Sequence, residues 1–353
     1  MAGRRPHHFA YRRKRVTRAP NSPNKPRIGI TFGDPAGIGP EIVLKSVAAP
    51  EVRAICTPAI IADRKEIQRQ ASLLGLPCDY AVVSEADLTQ SYDEDVIIID
   101  AGSKSHKVRW GELSRAAGQT AIACIEAGAR LALGGRLDAI ATAPINKEAL
   151  KLAGSPFPGH TEMFTSLCGA NDSLMCFFAG ELRVILLTIH MSLSDAIKAI
   201  TKERVARALV LADRELKRFG VVSPRIAVAG LNPHAGEHGL FGSEEAREIE
   251  PAITECRARY RIDASGPFPA DTLFVRAARG EFDAVVACYH DQGLIAVKCL
   301  AFGEAVNVTL GLPIIRTSVD HGTAFDIAGR GVADPGSMIE AIKLAARLAT
   351  HQQ

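Results

Sequence analysis

Short apolar runs alternate with helical patterns along most of this chain, and this alternation restricts its fold more than any other feature. Runs such as RIGITF at 27–32 and TPAIIA at 57–62 are bounded by turn residues, as buried strands are. Alanine-rich or amphipathic stretches follow, for example at 114–134. The order strand, helix, strand predicts an α/β fold with a mainly parallel sheet and helices on both faces. A length of 353 residues is enough for about two domains.

Positive charge is concentrated at the start of the chain. Residues 1–26 contain eight Lys or Arg and no acid, whereas the whole chain has a formal charge of +3. The remainder therefore carries a charge of about −5, which does not favour a nucleic-acid binder. The segment also lacks the apolar core of a secretion signal. We interpret 1–26 as a basic, disordered tail, with an organelle import peptide or a phosphate-binding arm as the alternatives.

The eight cysteines are typical of a reducing compartment. None belongs to a C-x-x-C pair, and most lie in apolar runs where Cys acts as a small core residue. This pattern argues against thiolate zinc sites and against a disulfide framework. No apolar run reaches the ~18 residues of a membrane span. The sequence therefore predicts a cytoplasmic protein.

Three histidines stand just after strand-like runs. His190 follows RVILLTI, His234 follows RIAVAGLNP and His290 follows DAVVACY. Because ligands bind at the carboxyl ends of strands in open α/β sheets, we expect these and other polar strand ends to gather at one edge. Three neutral imidazoles with an open position suit a catalytic Zn²⁺ or Co²⁺, which would ease hydride removal from an alcohol. Alternatively, each His bonds only to a local turn.

Other segments have the character of ligand sites. GDPAGIGPE at 33–41 could hold an anion at a helix N-terminus or be a plain turn, and it lacks the G-x-G-x-x-G spacing of a Rossmann site. Lys298, Asn307 and Arg316 lie in or beside apolar stretches, where a cation usually has an anionic partner. The glycine-rich stretch 321–337 could lie against a flat ligand or be an ordinary surface loop.

Long motifs carry a family resemblance over about residues 27–348. The segments are GDPAGIGPE, PFPGHTEMF, LLTIH, GLNPHAGE, GPFPADTLF, YHDQGL and NVTLGLPIIRTSVDHGTAFDIAGRG. They resemble the 4-hydroxythreonine-4-phosphate dehydrogenase family of pyridoxal phosphate biosynthesis. The last one also resembles the adenosine-side loop of isocitrate and isopropylmalate dehydrogenases. The resemblance implies an isocitrate/isopropylmalate dehydrogenase-like fold of two α/β/α domains with an interdomain cleft. Residues 27–152 plus 308–353 would form the first domain, and 153–307 the second domain with the homodimer interface.

The resemblance also implies a reaction. It is the NAD(P)-dependent, divalent-metal-dependent oxidation of 4-hydroxythreonine 4-phosphate to 2-amino-3-oxo-4-(phosphonooxy)butanoate. This β-keto acid would decarboxylate to 3-amino-2-oxopropyl phosphate on the route to pyridoxine 5′-phosphate. The active site would lie at the homodimer interface, where His190, His234 and His290 would bind zinc, magnesium or cobalt.

Further site residues follow from the same resemblance. The substrate contacts would be His160, Thr161, Lys298, Asn307 and Arg316. NAD or NADP would lie along the loop 321–334, against His321, Gly322, Asp326, Gly329 and Asp334. Asp271 and Asp291 are candidate catalytic residues; Asp291, beside His290, could accept a proton, orient a metal ligand or only cap the following turn.

Two departures from the family pattern leave the substrate open. Asn146 in TAPINK stands where some members have His in a TGPVHK-type segment, and the basic tail 1–26 is unlike the family. Threonate or erythronate 4-phosphate, or a cyclic diol, are therefore alternative substrates. Two other functional classes also stay open. One is a metal-dependent phosphatase or aldolase without a nicotinamide, and the other is a two-domain phosphate-ligand binding protein.

Overall fold

The computed structural model describes residues 25–89, 95–102, 108–301 and 303–351. Almost all of the predicted tail 1–26 lies outside these residues. Within them, twelve strands form one sheet. The strands are β1 Arg27–Thr31, β2 Thr57–Ala62, β3 Ala81–Val83, β4 Ile97–Asp100, β5 Ala139–Thr142, β6 Leu174–Ala179, β7 Leu182–Leu186, β8 Arg225–Ala229, β9 Asp263–Phe268, β10 Ala284–Ala287, β11 Val306–Leu310 and β12 Arg316–Ser318.

Helices cover both faces of the sheet. They are α1 Gly39–Ala48, α2 Pro50–Ile55, α3 Arg64–Leu74, α4 Arg115–Leu133, α5 Lys147–Leu152, α6 His160–Leu167, α7 Leu193–Ala199, α8 Lys202–Arg218, α9 Glu250–Tyr260, α10 Ala270–Ala278, α11 His290–Ala301 and α12 Gly336–Thr350. A wide helical turn, Glu245–Ile249, leads into α9. Helix α4 begins behind Ser114, whose side chain accepts from the Ala117 N–H, so the helix predicted at 114–134 is confirmed.

The sheet order is β3-β4-β2-β1-β5-β12-β11-β6-β7-β10-β8-β9. The six strands from β3 to β12 are parallel, and so are the four from β7 to β9. Between them, β11 is antiparallel to β12 and β6, and β6 is antiparallel to β7. The predicted α/β class and mainly parallel sheet are confirmed. However, the two parallel groups run in opposite directions, so the prediction of one common edge for all polar strand ends is wrong.

The reversal comes from three antiparallel pairs at the centre of the sheet. One is a hairpin in which Gly180, with φ 60°, turns β6 back into β7. Strand β11 crosses the predicted domain boundary at 307/308 and bonds to strands on both sides. The division into two domains therefore stays a prediction, because the sheet passes through the boundary without a break.

Buried residues lie on both faces of the strands. The largest apolar cluster joins the two halves, with Ile28 of β1 and Val228 of β8 in the same group. A second cluster fills the other face of β6, β7, β8 and β10 beneath α10 and α11. All eight cysteines are free thiols. Among the described residues, none of the helices combines the length and apolarity that a membrane crossing needs.

Candidate active site

A buried arginine occupies the central face of the sheet. Arg316 of β12 is 2% exposed and donates to Thr309 Oγ1 at 3.0 Å and Thr142 Oγ1 at 2.8 Å. Its Nε has no hydrogen-bond partner in the described part of the chain. Burial lowers the pKa of this guanidinium to about 9, and Glu162 offsets part of the shift. Since a buried charge is stable only when paired, the pocket is suited to an anion.

Helix α6 covers this arginine. Its first residue, His160, stacks on Phe164 at a ring distance of 6.2 Å, and the Phe164 ring lies 5.8 Å from the Arg316 guanidinium carbon. His160 Nε2 is buried without a partner among the described residues. Burial first, and then Arg316, holds the pKa of His160 well below its usual value, so the imidazole is neutral. The pocket therefore combines a fixed cation with a neutral hydrogen-bonding ring.

The other predicted substrate residues lie on β11, α6 and α11. Asn307 of β11 is two residues before Thr309 and shares its sheet face, and its Oδ1 is also buried without a described partner. Thr161 is half-buried in α6. Lys298 of α11 differs from Arg316, because its ammonium pairs with the Asp320 carboxylate and donates to the Asp320 carbonyl at 3.3 Å. Lys298 thus joins α11 to the start of the loop 321–334.

Two of the three predicted metal ligands face each other. Strands β7, β10 and β8 are adjacent and parallel, so the ends that precede His190, His290 and His234 lie on one side. The His190 and His290 ring centroids are 6.0 Å apart. Burial, Lys147 and His290 lower the pKa of His190, which favours the neutral form that binds metals. Asp291 Oδ1 lies 2.7 Å from His290 Nδ1, so His290 Nε2 can keep its lone pair for an ion.

His234 lies in a run of left-handed backbone. The φ values from His234 to His238 are 51°, 53°, 83°, 43° and 55°. The His234 side chain is 62% exposed, its Nδ1 lies 2.8 Å from Glu237 Oε2, and its ring meets Phe241 at 5.7 Å. Within the described ranges, no three His, Cys, Asp or Glu are placed to hold one metal ion. The pair His190 and His290 therefore fits a shared ion as two ligands, while His234 of the same chain does not complete the group.

Side chains that the sequence reasoning missed tie the three histidine segments together. The Thr188 hydroxyl donates to the Cys288 carbonyl at 2.8 Å. Gln292 accepts from the Cys288 N–H at 2.7 Å and donates to the Gly230 carbonyl at 2.7 Å. Buried Glu245 accepts from the backbone N–H of Asn232 at 2.7 Å and from its side-chain amide at 2.9 Å. These bonds continue the connection between neighbouring strands beyond their ends and hold the strained loop of His234.

The segment TAPINK places a second group beside His190. Asn146 Oδ1 caps α5 by accepting from the N–H groups of Glu148 at 2.9 Å and Ala149 at 3.0 Å. Its departure from the family pattern thus has a local structural role, because Asn is a favourable N-cap. The next residue, Lys147, and Glu162 of α6 have opposite effects on the pKa of His190. Lys147 was not predicted, although its place after β5 was a usable signal.

The glycine loop 33–41 supports the predicted cofactor loop 321–334. The Ile38 N–H donates to the Thr323 carbonyl at 3.0 Å, and a Cβ at Gly37 would lie 2.6 Å from the same oxygen. Glu41 accepts from the Ala333 N–H at 2.7 Å, while Lys45 donates to the Ala333 carbonyl at 2.8 Å. The close approach explains the glycine at 37. Anion binding by this loop stays a prediction.

The predicted cofactor residues divide into open and covered positions. His321, Gly322 and Asp326 are exposed, and no described atom lies within 4 Å of a Cβ built on Gly322. The side-chain face of Gly329 is instead filled by Trp110. Asp334 accepts from the Gly336 N–H at 2.8 Å at the start of α12. The side around 321–326 is therefore the open part of the loop, and cofactor binding there stays a prediction.

Two further carboxyl groups, those of Asp271 and Asp34, differ in their exposure. Asp271 is exposed in the first turn of α10, and the described residues give it no hydrogen bond that links it to the histidines. Asp34 follows β1 and was not predicted. It is 1% exposed, its Oδ1 accepts from the Ala36 N–H at 2.8 Å, and its Oδ2 has no described partner. Burial raises the pKa of Asp34 to about 6.

Comparison with known proteins finds one family model and several named relatives that match most of the chain. The family described as pyridoxal phosphate biosynthetic protein PdxA matches residues 54–345. D-Threonate 4-phosphate dehydrogenase of Cupriavidus necator is 48% identical over 93% of this chain and 98% of its own. 4-Hydroxythreonine-4-phosphate dehydrogenase of Desulfosudis oleivorans is 47% identical over 91% and 95%. The crystal structure of a 4-hydroxythreonine-4-phosphate dehydrogenase from Burkholderia phymatum superposes with a TM-score of 0.81, at 47% identity over 92% and 98% of the two chains.

Proposed function

The chain belongs to the family of the pyridoxal phosphate biosynthetic protein PdxA, and on that premise we propose that it oxidises a four-carbon phosphorylated hydroxy acid with NAD or NADP. The candidate substrates are 4-hydroxythreonine 4-phosphate and D-threonate 4-phosphate, since relatives with both names match at 47–48% identity. From the first substrate, the product is 2-amino-3-oxo-4-(phosphonooxy)butanoate, which loses CO₂ to give 3-amino-2-oxopropyl phosphate. Erythronate 4-phosphate is the third compound to test.

The observation that carries this proposal is the buried charge of Arg316. The guanidinium is 2% exposed, and no described carboxylate forms an ion pair with it. A substrate phosphate or carboxylate would supply the missing partner and could accept from the free Nε. Asn307 Oδ1 would accept from a substrate hydroxyl or ammonium group, and His160 is held neutral for a hydrogen bond rather than a charge. These groups would orient the substrate, and α6 would keep water from the anion.

We propose that His190 and His290 hold a divalent ion, with His234 of a second copy of the chain as the third ligand. Zinc, magnesium or cobalt at this position supplies a Lewis acid that favours oxidation of an alcohol. The contribution of the chain is orientation: Asp291 bonds to Nδ1 of the His290 ring, and Thr188 and Gln292 link the neighbouring strand ends. Lys147 adds a positive charge beside His190.

A homodimer is part of the proposal because apolar side chains are exposed near each histidine. Met191 follows His190 and is 44% exposed, and Phe241 against His234 is 46% exposed. Ile295, on α11 after His290, is 64% exposed. Exposed apolar groups in one region are typical of interaction surfaces. A second copy that covers them could also bring its His234 to the pair formed by His190 and His290.

The direct test is a panel of substrates in which the absorbance of the reduced nicotinamide is the readout. Purified protein is supplied with Co²⁺, Zn²⁺ or Mg²⁺, NAD⁺ or NADP⁺, and each of the three four-carbon phosphates. We expect reduction of the nicotinamide with at least one of them, together with release of CO₂ when the product is a β-keto acid. Release of inorganic phosphate or carbon–carbon cleavage without nicotinamide reduction would instead identify a phosphatase or aldolase. Binding without turnover would indicate a binding protein.

A further inference from the structure

Trp110 lies directly against the loop 321–334. The indole covers the side-chain face of Gly329, so that a Cβ at this position would overlap its six-membered ring. Gly329 also has φ 77°, a conformation that favours glycine. Both the backbone conformation and the contact with Trp110 therefore require glycine at position 329. This is the one tryptophan of the 353 residues.

Contacts with helix α3 fix the position of Trp110. Its Nε1–H donates to Gln70 Oε1 at 3.0 Å, and Gln70 Nε2 donates to the Pro35 carbonyl at 2.7 Å. Gln70 is 1% exposed in α3. The Arg69 guanidinium carbon lies 5.8 Å from the indole centroid, and Arg69 also donates to the Val108 carbonyl at 3.0 Å. Since buried polar groups require such partners, the indole has little freedom to shift without loss of these bonds.

The neighbours of Trp110 support the same loop at a second point. The Gly111 N–H donates to the Ala36 carbonyl at 2.8 Å. Phe325 of the loop packs against a small apolar cluster that contains Ala36 and Val108. The segment 108–111 therefore holds the loop both at Phe325 and at Gly329. By contrast, His321, Gly322 and Asp326 on the outer side are exposed.

We propose that Trp110 is a positioning residue for nicotinamide-dinucleotide binding, acting through Gly329. The inference rests on the proposed function. By filling the inner side of the loop, the indole holds the backbone at 321–329 in one path before the cofactor arrives. Loss of this support would let the loop adopt more conformations, and the cofactor would then have to order it on binding. The effect should fall on cofactor affinity and leave the anion pocket around Arg316 unchanged.

The test compares Trp110→Ala, Trp110→Phe and wild type by titration with NADH and NADPH. Ligand fluorescence is followed in all proteins, and energy transfer from Trp110 to the reduced nicotinamide is followed in wild type. We expect Trp110→Ala to raise the Kd of the cofactor on the order of tenfold, as expected for the loss of a preorganising contact. Trp110→Phe keeps a ring over Gly329 and should restore most of the affinity. KM for the phosphorylated substrate should stay near the wild-type value, a pattern that general destabilisation would not produce.

A double substitution separates contact from overall stability. Gly329→Ala should weaken cofactor binding because its Cβ meets the indole. In Trp110→Ala/Gly329→Ala the space is free, so the loss should be smaller than the sum of the two single losses. Strict additivity, or unchanged cofactor affinity in Trp110→Ala, would overturn the inference. If wild type itself binds neither NADH nor NADPH, the proposed function fails instead. Should Trp110→Ala not fold, Trp110→Leu and Gly329→Ala decide the question.

Discussion

Substitution of the buried carboxyl group of Asp34 by an amide should change how stability depends on pH. Asp34 is 1% exposed, and burial raises its pKa from 3.8 to about 6. An acid whose pKa is raised by folding stabilises the protein below its unfolded value, and this contribution is lost as pH rises through the folded value. Asp34→Asn keeps an oxygen to accept from the Ala36 N–H and carries no titrating proton.

The magnitude follows from the two pKa values. A shift from 3.8 to about 6 corresponds to roughly 3 kcal/mol of lost stability at a pH above both values, at about 1.4 kcal/mol for each pKa unit. Between pH 4.5 and pH 7.5 the ionisation equilibria give about 2 kcal/mol of this loss. The variant does not undergo it. The unfolding free energy of the variant minus that of wild type should therefore increase by about 2 kcal/mol as the pH rises over that range.

The assay is urea unfolding of both proteins at several pH values, with thermal midpoints as a second measure. Only the change of this free-energy difference with pH is diagnostic, because burial of the new amide group adds a cost that does not depend on pH. Exposed Asp79→Asn is the matched control and should give a flat difference. A flat difference for Asp34→Asn as well would refute the reasoning, since it would mean that burial does not disfavour the ionised carboxylate.

Three further substitutions address the proposed site. Arg316→Met should weaken binding of the phosphorylated substrate roughly 30- to 100-fold, as expected for the loss of a charged hydrogen bond. The melting temperature of the free protein should stay equal or rise, because an unpaired buried charge is removed. A fall in both substrate affinity and melting temperature would contradict an anion site. His290→Ala should abolish Co²⁺ binding, as measured by the visible absorption of the bound ion. The melting temperature of the metal-free protein should change little, since the His290 side chain is 41% exposed. On the proposed cofactor path, Asp326→Asn should lower the ratio of kcat/KM with NAD to kcat/KM with NADP about tenfold, because a carboxylate beside the ribose would accept from a 2′-hydroxyl and repel a 2′-phosphate. An unchanged ratio would exclude that contact.

Local sequence patterns predicted most of the sheet, and the exceptions have identifiable causes. TPAIIA became β2 at the predicted bounds, since a β-branched run between turn residues has few other stable environments. β9, with the sequence DASGPF, was missed because it contains no apolar run. The reversal between β6 and β7 was also missed, because Gly180 predicts a turn but not the direction of the following strand.

The site was predictable where a residue conflicts with its own neighbourhood. Arg316 stands after the apolar stretch LPII, and that local conflict by itself indicates an anionic partner. Trp110 and Gln292 gave no such signal, because their roles arise from partners far away in the chain. Trp110 bonds to Gln70, 40 residues earlier, and Gln292 bonds to Gly230, 62 residues earlier. Periodicity and spacing cannot report contacts of this kind.

Two features of the fold carry a free-energy cost that the described chain offsets only in part, through Glu162 near Arg316 and Glu245 at the loop of His234. Arg316 is charged and buried without an ion-pair partner, and the loop of His234 has four non-glycine residues with positive φ. Each such residue costs of the order of 1 kcal/mol or more. Both features lie among the residues proposed to bind ligand. Since the rest of the sheet is packed from apolar strands, stability alone does not account for them, and an anion at Arg316 would remove the cost of the unpaired charge.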